Sequence, residues 1–458
     1  MAQPAAARLQ EVVKKFENDS QMKHASYSLY VIDASGGKPV IEKNSRVGLA
    51  TASCLKLVTS AMAFETMGSS FKYETKISYT GAIKNNVLNG NVYINGSGDP
   101  TLGSWRWENT KMDKIQEQVI ELFKQKGISK INGKIFINDI GASFHDVVPG
   151  DWAWNDIGNY YGAPARVFNW NENQYDIFFK TGSDKGSPAQ IKKTTPFLPG
   201  ISWNNYVTAG AKGSGDNTLI YLPPFSTTGY ITGTVPAGEE NFSVSGAMPD
   251  PTAVFASDLS LKLKESGIIY NDSIVSQLGS WNKEKYVPGF PDQRILNELG
   301  SIISPEFDKM NFWFMRHSIN LYGEAFLRTQ PDKPPLLTYK EAIKKAKAFW
   351  KERGIEESAL NIYDGSGLSP ANRVTTATLV KVLQYAKTRS WFSSYYEAFP
   401  VYNDMKLKSG TIGGVKGFAG YHKAKNGKEY IIAFLVNNFD GSASSIVQKM
   451  YNVLDEFK

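Results

Sequence analysis

Apolar residues recur along this chain with two different periods, and the changes between them mark its organisation. Leu9, Val12, Val13 and Phe16 fall at helical spacing, and the alternating segment 26–32 that follows reads as a strand. A turn at Ala34-Ser35-Gly36-Gly37 and a second short strand at 39–42 predict an antiparallel hairpin. Leu55, Val58 and Met62 then recur at steps of three and four, which predicts an amphipathic helix from Ser53 to about Met67.

From about residue 71 to 281 the texture changes to short alternating strands broken by Gly, Asn, Pro and Ser, such as 74–79, 91–94 and 134–138. Helical stretches at 111–127 and 250–266 interrupt and close this region. Helical periods return at 308–328, 338–353 and 375–388, before an apolar run at 430–436 that reads as a buried strand. A hairpin is expected near Lys425-Asn426-Gly427-Lys428, with a helix at the C-terminus. No internal repeat is present. The pattern predicts an α+β domain split in sequence, 1–70 and 284–458, around a β-rich insertion at 71–283. Two subdomains are expected in the insertion, with about 84–150 nested within the rest.

Composition narrows the function classes. The chain has 458 residues, 41% hydrophobic and 21% charged, which suits a soluble protein of two to four domains. No run approaches the ~18 to 20 apolar residues of a membrane span, so no transmembrane segment is expected. The opening Met1-Ala2-Gln3-Pro4-Ala5-Ala6-Ala7 reads as a mature N-terminus behind an added initiator Met, its export signal removed. Cys54 is the only cysteine, which excludes an internal disulfide and leaves the redox compartment open. A net charge of +7 suits an anionic polymer such as a cell wall. Without a long basic run or an aromatic-basic stacking motif it serves solubility, and no nucleic-acid partner is expected. His24, His145, His317 and His422 lack metal-ligand spacing, so neither a metal nor another cofactor is expected. None of these features encodes an oligomeric state.

A serine hydrolase without a histidine base needs another group to take the hydroxyl proton. A lysine three residues along a helix shares a face with the serine, as Lys56 does with Ser53. The helix N-terminus adds positive potential beside a developing oxyanion. To act as a base Lys56 must be neutral, which requires its pKa to fall from ~10.4 towards ~7, a shift of roughly 4 to 5 kcal/mol. The spacing alone is weak, because Ser20 to Lys23, Ser69 to Lys72 and Ser280 to Lys283 share it. Only Ser53 opens a strong helix directly after a hairpin.

Two further motifs accompany Ser-x-x-Lys in β-lactam-recognising enzymes, Ser-x-Asn and Lys-Ser/Thr-Gly. Ser318-Ile319-Asn320 precedes a helix in the α+β half, unlike Ser202-Trp203-Asn204 and Ser280-Trp281-Asn282, which fall in or beside the insertion. Lys408-Ser409-Gly410-Thr411 opens a Gly-rich strand where absent side chains would let a peptide lie against the backbone, unlike Lys180-Thr181-Gly182. With these motifs in order, and with the segments 95–102, 158–164 and 364–369, nearly the whole chain resembles the class C low-molecular-mass penicillin-binding proteins, peptidase family S13.

The resemblance implies a transpeptidase-like domain, an antiparallel sheet flanked by helices, with large β-rich insertions. It implies a periplasmic or extracytoplasmic D-Ala-D-Ala carboxypeptidase acting on peptidoglycan stem peptides and acylated by β-lactam antibiotics, with D,D-endopeptidase action left open. By position, Ser53 would be the nucleophile, Lys56 its base, Ser318 a proton relay to the leaving amine, and Asn320 a ligand of Lys56 and of the substrate amide. Lys408 would hold positive potential over the cleft. Ser409, Gly410 and Thr411 would form the substrate-binding strand, the hydroxyls of Ser409 and Thr411 receiving the terminal carboxylate. The N–H groups of Ser53 and Thr411 would form the oxyanion hole. Pro370 stands where many relatives carry Arg, with Arg373 as a substitute.

In the aromatic segment 152–161, Asp156 best matches an acidic residue that reads the side-chain ammonium of the stem peptide, with Asp146 and Asp151 as rivals and a turn-capping role as the alternative. Asp99 and Asp364 sit in Gly-rich turns and are expected to be structural, as is the Cys54 thiol. Two other functions stay open, a serine β-lactamase or esterase, for which no extra carboxylate base is evident, and a non-catalytic cell-wall binding protein.

Overall fold

The structure, a computed structural model, describes residues 5–140, 146–271, 274–276, 296–332 and 336–458. Met1 to Pro4, His145, the repeated motifs at Ser280 to Lys283 and the expected return to the first domain at residue 284 lie outside the described residues.

Segments from the two ends of the chain build one six-stranded antiparallel sheet. Its order is Pro39–Lys43, Ser26–Asp33, Glu429–Asn437, Val415–Lys423, Met405–Ile412 and Val401–Tyr402. The apolar run at 430–436 forms a central strand buried on both faces, so its alternate residues enter different cores. Ile432, Phe434 and Val436 pack with Leu9, Val13 and Phe16 of the helix Ala5–Glu17 and with Ile446 and Met450 of the helix Ala443–Leu454. Ile431, Ala433 and Leu435 face Leu57, Val58, Ala61 and the helices Thr376–Lys387 and Phe307–Arg316.

Two expected helices differ from the sequence reading. Ser53 lies in a 3₁₀ turn, Ala52–Leu55, and the α-helix begins at Lys56 and runs to Met67. Residues i and i+3 eclipse in a 3₁₀ turn, so the Ser53 to Lys56 approach survives. This helix is buried nearly all round from Lys56 to Phe64 rather than amphipathic, because it is enclosed by sheet and helices. The helix expected at 308–328 breaks into Phe307–Arg316 and Asn320–Arg328. Ser318, at φ 57°, interrupts it in the left-handed region, which turns Ser318 and Asn320 away from the first helix axis.

The strands between 74 and 138 form two sheets that also take in Ile269–Tyr270, Ile274–Ser276 and Asn297–Ile303. The segment expected to be nested, about 84–150, is therefore interlocked with later chain. Among the described residues, the strands between Gln174 and Ala247 pair with no other strand, and Gly246 adds an isolated bridge to Asn159. Asn297–Ile303 pairs with Glu74–Tyr79, which carries the sheets of the middle region past residue 284.

Glu172 ties this middle region to the helix carrying Asn320. It is fully buried, and it accepts hydrogen bonds from Ser104 Oγ (2.7 Å), Arg106 Nε (2.8 Å), Arg106 Nη2 (3.1 Å) and Tyr322 Oη (2.8 Å). Removing one partner of such a buried pair costs about 3 to 5 kcal/mol, because the other charge is left without compensation. Glu172→Ala should lower the melting temperature clearly, and Glu172→Gln, which keeps the bonds from Ser104 and Tyr322, should lower it less. Calorimetry showing equal stability for all three proteins would contradict this role.

Candidate active site

Three chain segments meet at a cleft of about 440 Å³ bordered by Ser53, Ser318, Asn320 and Thr411, with Asp156, Tyr160, Tyr161 and Arg106 from the middle region. Their approach depends on backbone at van der Waals limits. A Cβ on Gly410 would lie 2.4 Å from the Thr51 carbonyl oxygen, and one on Gly367 would lie 1.9 Å from that of Ala52. Gly410 thus lets its strand, Met405–Ile412, close on the Ser53 turn. Ala52 (φ 45°) and Ser318 (φ 57°) both occupy the left-handed region, at a cost of about 1 to 3 kcal/mol each for a non-glycine residue. Both flank site residues, and the packing around them holds the strain.

Lys56 is the centre of the arrangement. Its Nζ is fully buried, 2.9 Å from Ser53 Oγ, 2.6 Å from Asn320 Oδ1 and 2.7 Å from the Ser366 carbonyl oxygen. Asn320 Nδ2 donates to the Tyr161 carbonyl (2.8 Å), which fixes the amide with its oxygen towards Lys56. Burial pushes the Lys56 pKa well below its usual range, and the Lys408 ammonium pushes it further. The carboxylates of Asp364 and Glu324 oppose the shift. A neutral amine here has two N–H groups and a lone pair, enough to donate to Asn320 and Ser366 and to accept from Ser53.

Lys408 is also buried, and its Nζ donates to Ser318 Oγ (2.9 Å) and to the Ser409 carbonyl (2.9 Å). Burial lowers its pKa to about 8. Thr411 Oγ1 borders the cleft and accepts from Lys416 Nζ at 2.7 Å, whereas Ser409 lies outside the cleft border. The chemistry available is a serine hydroxyl beside an amine whose surroundings favour its neutral form, with a second lysine-bound hydroxyl and a cationic strand opposite.

Other sequence candidates resolve by contact. Asp156 borders the cleft half-buried, and its Oδ1 accepts from Tyr161 Oη at 3.3 Å. Burial raises its pKa. Its backbone carbonyl, rather than its carboxylate, caps the turn at Gly158 and Asn159. Asp146 instead accepts from the Tyr339 backbone N–H, and exposed Asp151 is outside the cleft border. Arg373 folds back onto the carbonyls of Pro370 and Asn372, also away from that border. Asp364 accepts from the N–H groups of Gly367 and Ser369, Asn372 Nδ2 and Trp152 Nε1, which makes it the hub of its loop. Asp99 accepts from Thr101 twice. Cys54 is fully buried, its thiol pKa raised to about 12 by burial, and it donates to the Lys408 carbonyl.

Sequence reasoning missed several groups. Glu324 accepts from the N–H groups of Gly365 and Ser366, which aims the Ser366 carbonyl at Lys56. Lys416 is the register partner of Thr411, and counting across the Gly413-Gly414 turn could have found it. Arg106 and Glu172 carry no local signal.

This fold and site define a serine hydrolase of the penicillin-binding class, with a transpeptidase-like α+β domain and added β-rich elements. The chain belongs to the D-Ala-D-Ala carboxypeptidase 3 (S13) family, which residues 9–404 match. It is 22% identical over 479 residues to the D-alanyl-D-alanine carboxypeptidase of Actinomadura sp. (strain R39), across 98% of this chain and 85% of that protein. It is 23% identical over 421 residues to the D-alanyl-D-alanine carboxypeptidase DacB of Haemophilus influenzae, across 87% and 83% respectively. The crystal structure of penicillin binding protein 4 (dacB) from Haemophilus influenzae has the same fold, with a TM-score of 0.81 at 19% identity over 98% of each chain. The complex of that protein with a novel β-lactam gives 0.76.

The two lysines titrate with opposite consequences. Acylation should rise with pH as Lys56 loses its proton, well below the ordinary lysine range, and fall again near pH 8 as Lys408 is neutralised. Lys408→Arg keeps its charge at every accessible pH, so it should remove the falling limb and leave the rising one. A falling limb unmoved in Lys408→Arg would exclude this assignment.

Proposed function

We propose that the protein is a serine D-Ala-D-Ala carboxypeptidase that removes the terminal D-Ala of peptidoglycan stem peptides through an acyl-enzyme at Ser53. One observation carries the reading, the 2.9 Å contact of a buried lysine amine with the Ser53 hydroxyl at the border of a cleft, where burial and Lys408 favour the neutral amine. Neutral Lys56 takes the Ser53 proton as Oγ bonds to the carbonyl carbon of the penultimate D-Ala. The oxyanion gathers at the N–H groups of Ser53 and Thr411, each such donor being worth ~10² to 10³ in rate. The C–N bond then breaks, a proton reaches the leaving amine through Ser318, free D-Ala departs, and water hydrolyses the ester. Lys408 and Lys416 supply positive potential for the substrate's terminal carboxylate. The contact of Lys416 with Thr411 favours Thr411 over Ser409 as its receiver.

The catalytic residues come from the two ends of the chain, which supports a split catalytic domain of residues 1–70 and about 304–458, with the middle region inserted. The substrate polymer lies outside the cytoplasm, so we assign the enzyme to the periplasm or another extracytoplasmic space. Among the described residues no helix is long and apolar enough to cross a membrane.

A β-lactam imitates the D-Ala-D-Ala amide, but its opened ring stays tethered and blocks water, so the acyl-enzyme should persist. Intact-mass spectrometry should show one penicillin added to the protein and none to Ser53→Ala. Addition that survives in Ser53→Ala would remove Ser53 as nucleophile, and rapid loss of the label would favour a β-lactamase.

Asp156 is the proposed reader of the side-chain ammonium on the third stem-peptide residue, since its carboxylate borders the cleft and has a single neutral partner, Tyr161. Asp156→Asn should lower kcat/KM on peptides with a free side-chain ammonium by about 10 to 100-fold, the value of a charge-assisted hydrogen bond. Acylation by simple penicillin should barely change. Equal losses on both would mean that Asp156 supports the fold alone.

A further inference from the structure

The wall of the cleft continues onto a sheet of unusual composition. Ser202–Asn205, Thr228–Val235 and Asn217–Tyr221 lie side by side, and their register pairs Asn204 with Tyr230, Tyr230 with Tyr221, Leu219 with Thr232, and Asn217 with Thr234. Alternate residues Gly229, Ile231, Thr218 and Ile220 turn inward and are buried, so the paired positions point outward. No outward position of these three strands is charged, although 21% of the chain is Asp, Glu, Lys or Arg. The face is built of hydroxyls, amides, Leu219 and two tyrosines, Tyr221 and Tyr230, stacked at 4.4 Å and 12°.

This face is joined to the cleft by a run of aromatic rings. Trp154, 52% exposed, lies 6.2 Å from Tyr221, and its short helix, Trp154–Ile157, packs on the strand Asn217–Tyr221. Gly158 makes that packing possible, since a Cβ there would meet the Ile220 carbonyl at 2.1 Å. Tyr160, 51% exposed, borders the cleft and contacts Tyr161 edge-on at 5.4 Å. Asp156 and Tyr160 thus border the cleft with Ser53, and the helix that holds Asp156 also carries Trp154 against Tyr221, which stacks on Tyr230.

We propose that this uncharged aromatic face binds the neutral sugar backbone of the glycan strand to which the stem peptide is attached. The proposal rests on the carboxypeptidase reading of the cleft. A stem peptide with its C-terminal end at Ser53 and its third residue at Asp156 has its sugar-linked end directed out of the cleft, along the aromatic wall. Pyranose rings offer flat C–H faces to tyrosine and tryptophan rings, while their hydroxyl and acetamido groups match neutral Asn and Thr side chains. A protein partner would instead be expected to meet an apolar centre, whereas Leu219 is the one aliphatic side chain among the outward positions of these three strands.

The test separates the surface from the chemistry. Peptide-free glycan strands, released from sacculi by an amidase and with the freed lactyl carboxylates capped as amides so that the strand stays neutral, are titrated against the full chain by calorimetry, in parallel with hydrolysis of a soluble D-Ala-D-Ala peptide. Tyr221→Ser with Tyr230→Ser should weaken glycan binding by at least about 10-fold, as loss of two stacking rings implies. Hydrolysis of the soluble peptide should stay within about twofold, since neither residue borders the cleft. No binding of glycan strands by the unmodified protein, or equal binding by the variant, would overturn the proposal. So would slower digestion of whole sacculi with glycan binding intact, which would point to a protein partner. Absence of soluble-peptide hydrolysis in the unmodified protein would instead overturn the carboxypeptidase reading.

Discussion

A lysine amine sealed from water against a serine hydroxyl is the interaction on which the rest of the site depends. The effective cost of burying an ammonium ion in a protein is several kcal/mol, and Lys56 meets it with three acceptors, Ser53 Oγ, Asn320 Oδ1 and the Ser366 carbonyl. Those contacts also keep the neutral form satisfied, so the site tolerates both protonation states while burial and Lys408 favour the neutral one. Each of the three acceptors belongs to a different part of the chain. Bringing them together is what the fold has to accomplish.

The fold does so by removing side chains and by holding backbone under strain. Gly410 and Gly367 allow carbonyls of the Ser53 turn to approach from two sides. Left-handed Ala52 and Ser318 turn the chain where a regular helix would carry the hydroxyls elsewhere. Glu324 and Asp364 then order the loop 364–372 from within, so that the Ser366 carbonyl has one direction. Apart from Ser318, none of these residues takes part in the reaction. Their effect is a fixed distance between Lys56 and Ser53.

Elements with strong local periodicity were legible in the sequence, and the ones that shape the site were less so. The alternating strands around 26–32 and 430–436 and the helices near 112–125, 251–265 and 376–387 follow from burial on fixed faces. The helix break at Ser318 was missed because a left-handed serine leaves no trace in hydrophobic spacing. The extent of the middle region left no local trace, because the strands at 130–131 and 135–138 pair with 269–270 and 274–276 and the strand at 74–79 pairs with 297–303, partnerships that tertiary packing decides. Of the site, the three short motifs were visible as spacings, and the structure brings Ser53, Lys56, Ser318, Asn320, Lys408 and Thr411 together. Glu172, Arg106 and Glu324 were invisible, since each acts through contacts between distant segments.

The protonation state of Lys56 is the central claim, and it can be observed directly. Lysine labelled at Cε reports its charge through the carbon chemical shift, and Lys56→Arg identifies the resonance. Across a pH titration the Lys56 signal should move well below the pH at which the exposed lysines titrate, in step with the rise in acylation. A Lys56 signal that stays that of the ammonium up to pH 10, while acylation is already at its plateau, would contradict the account.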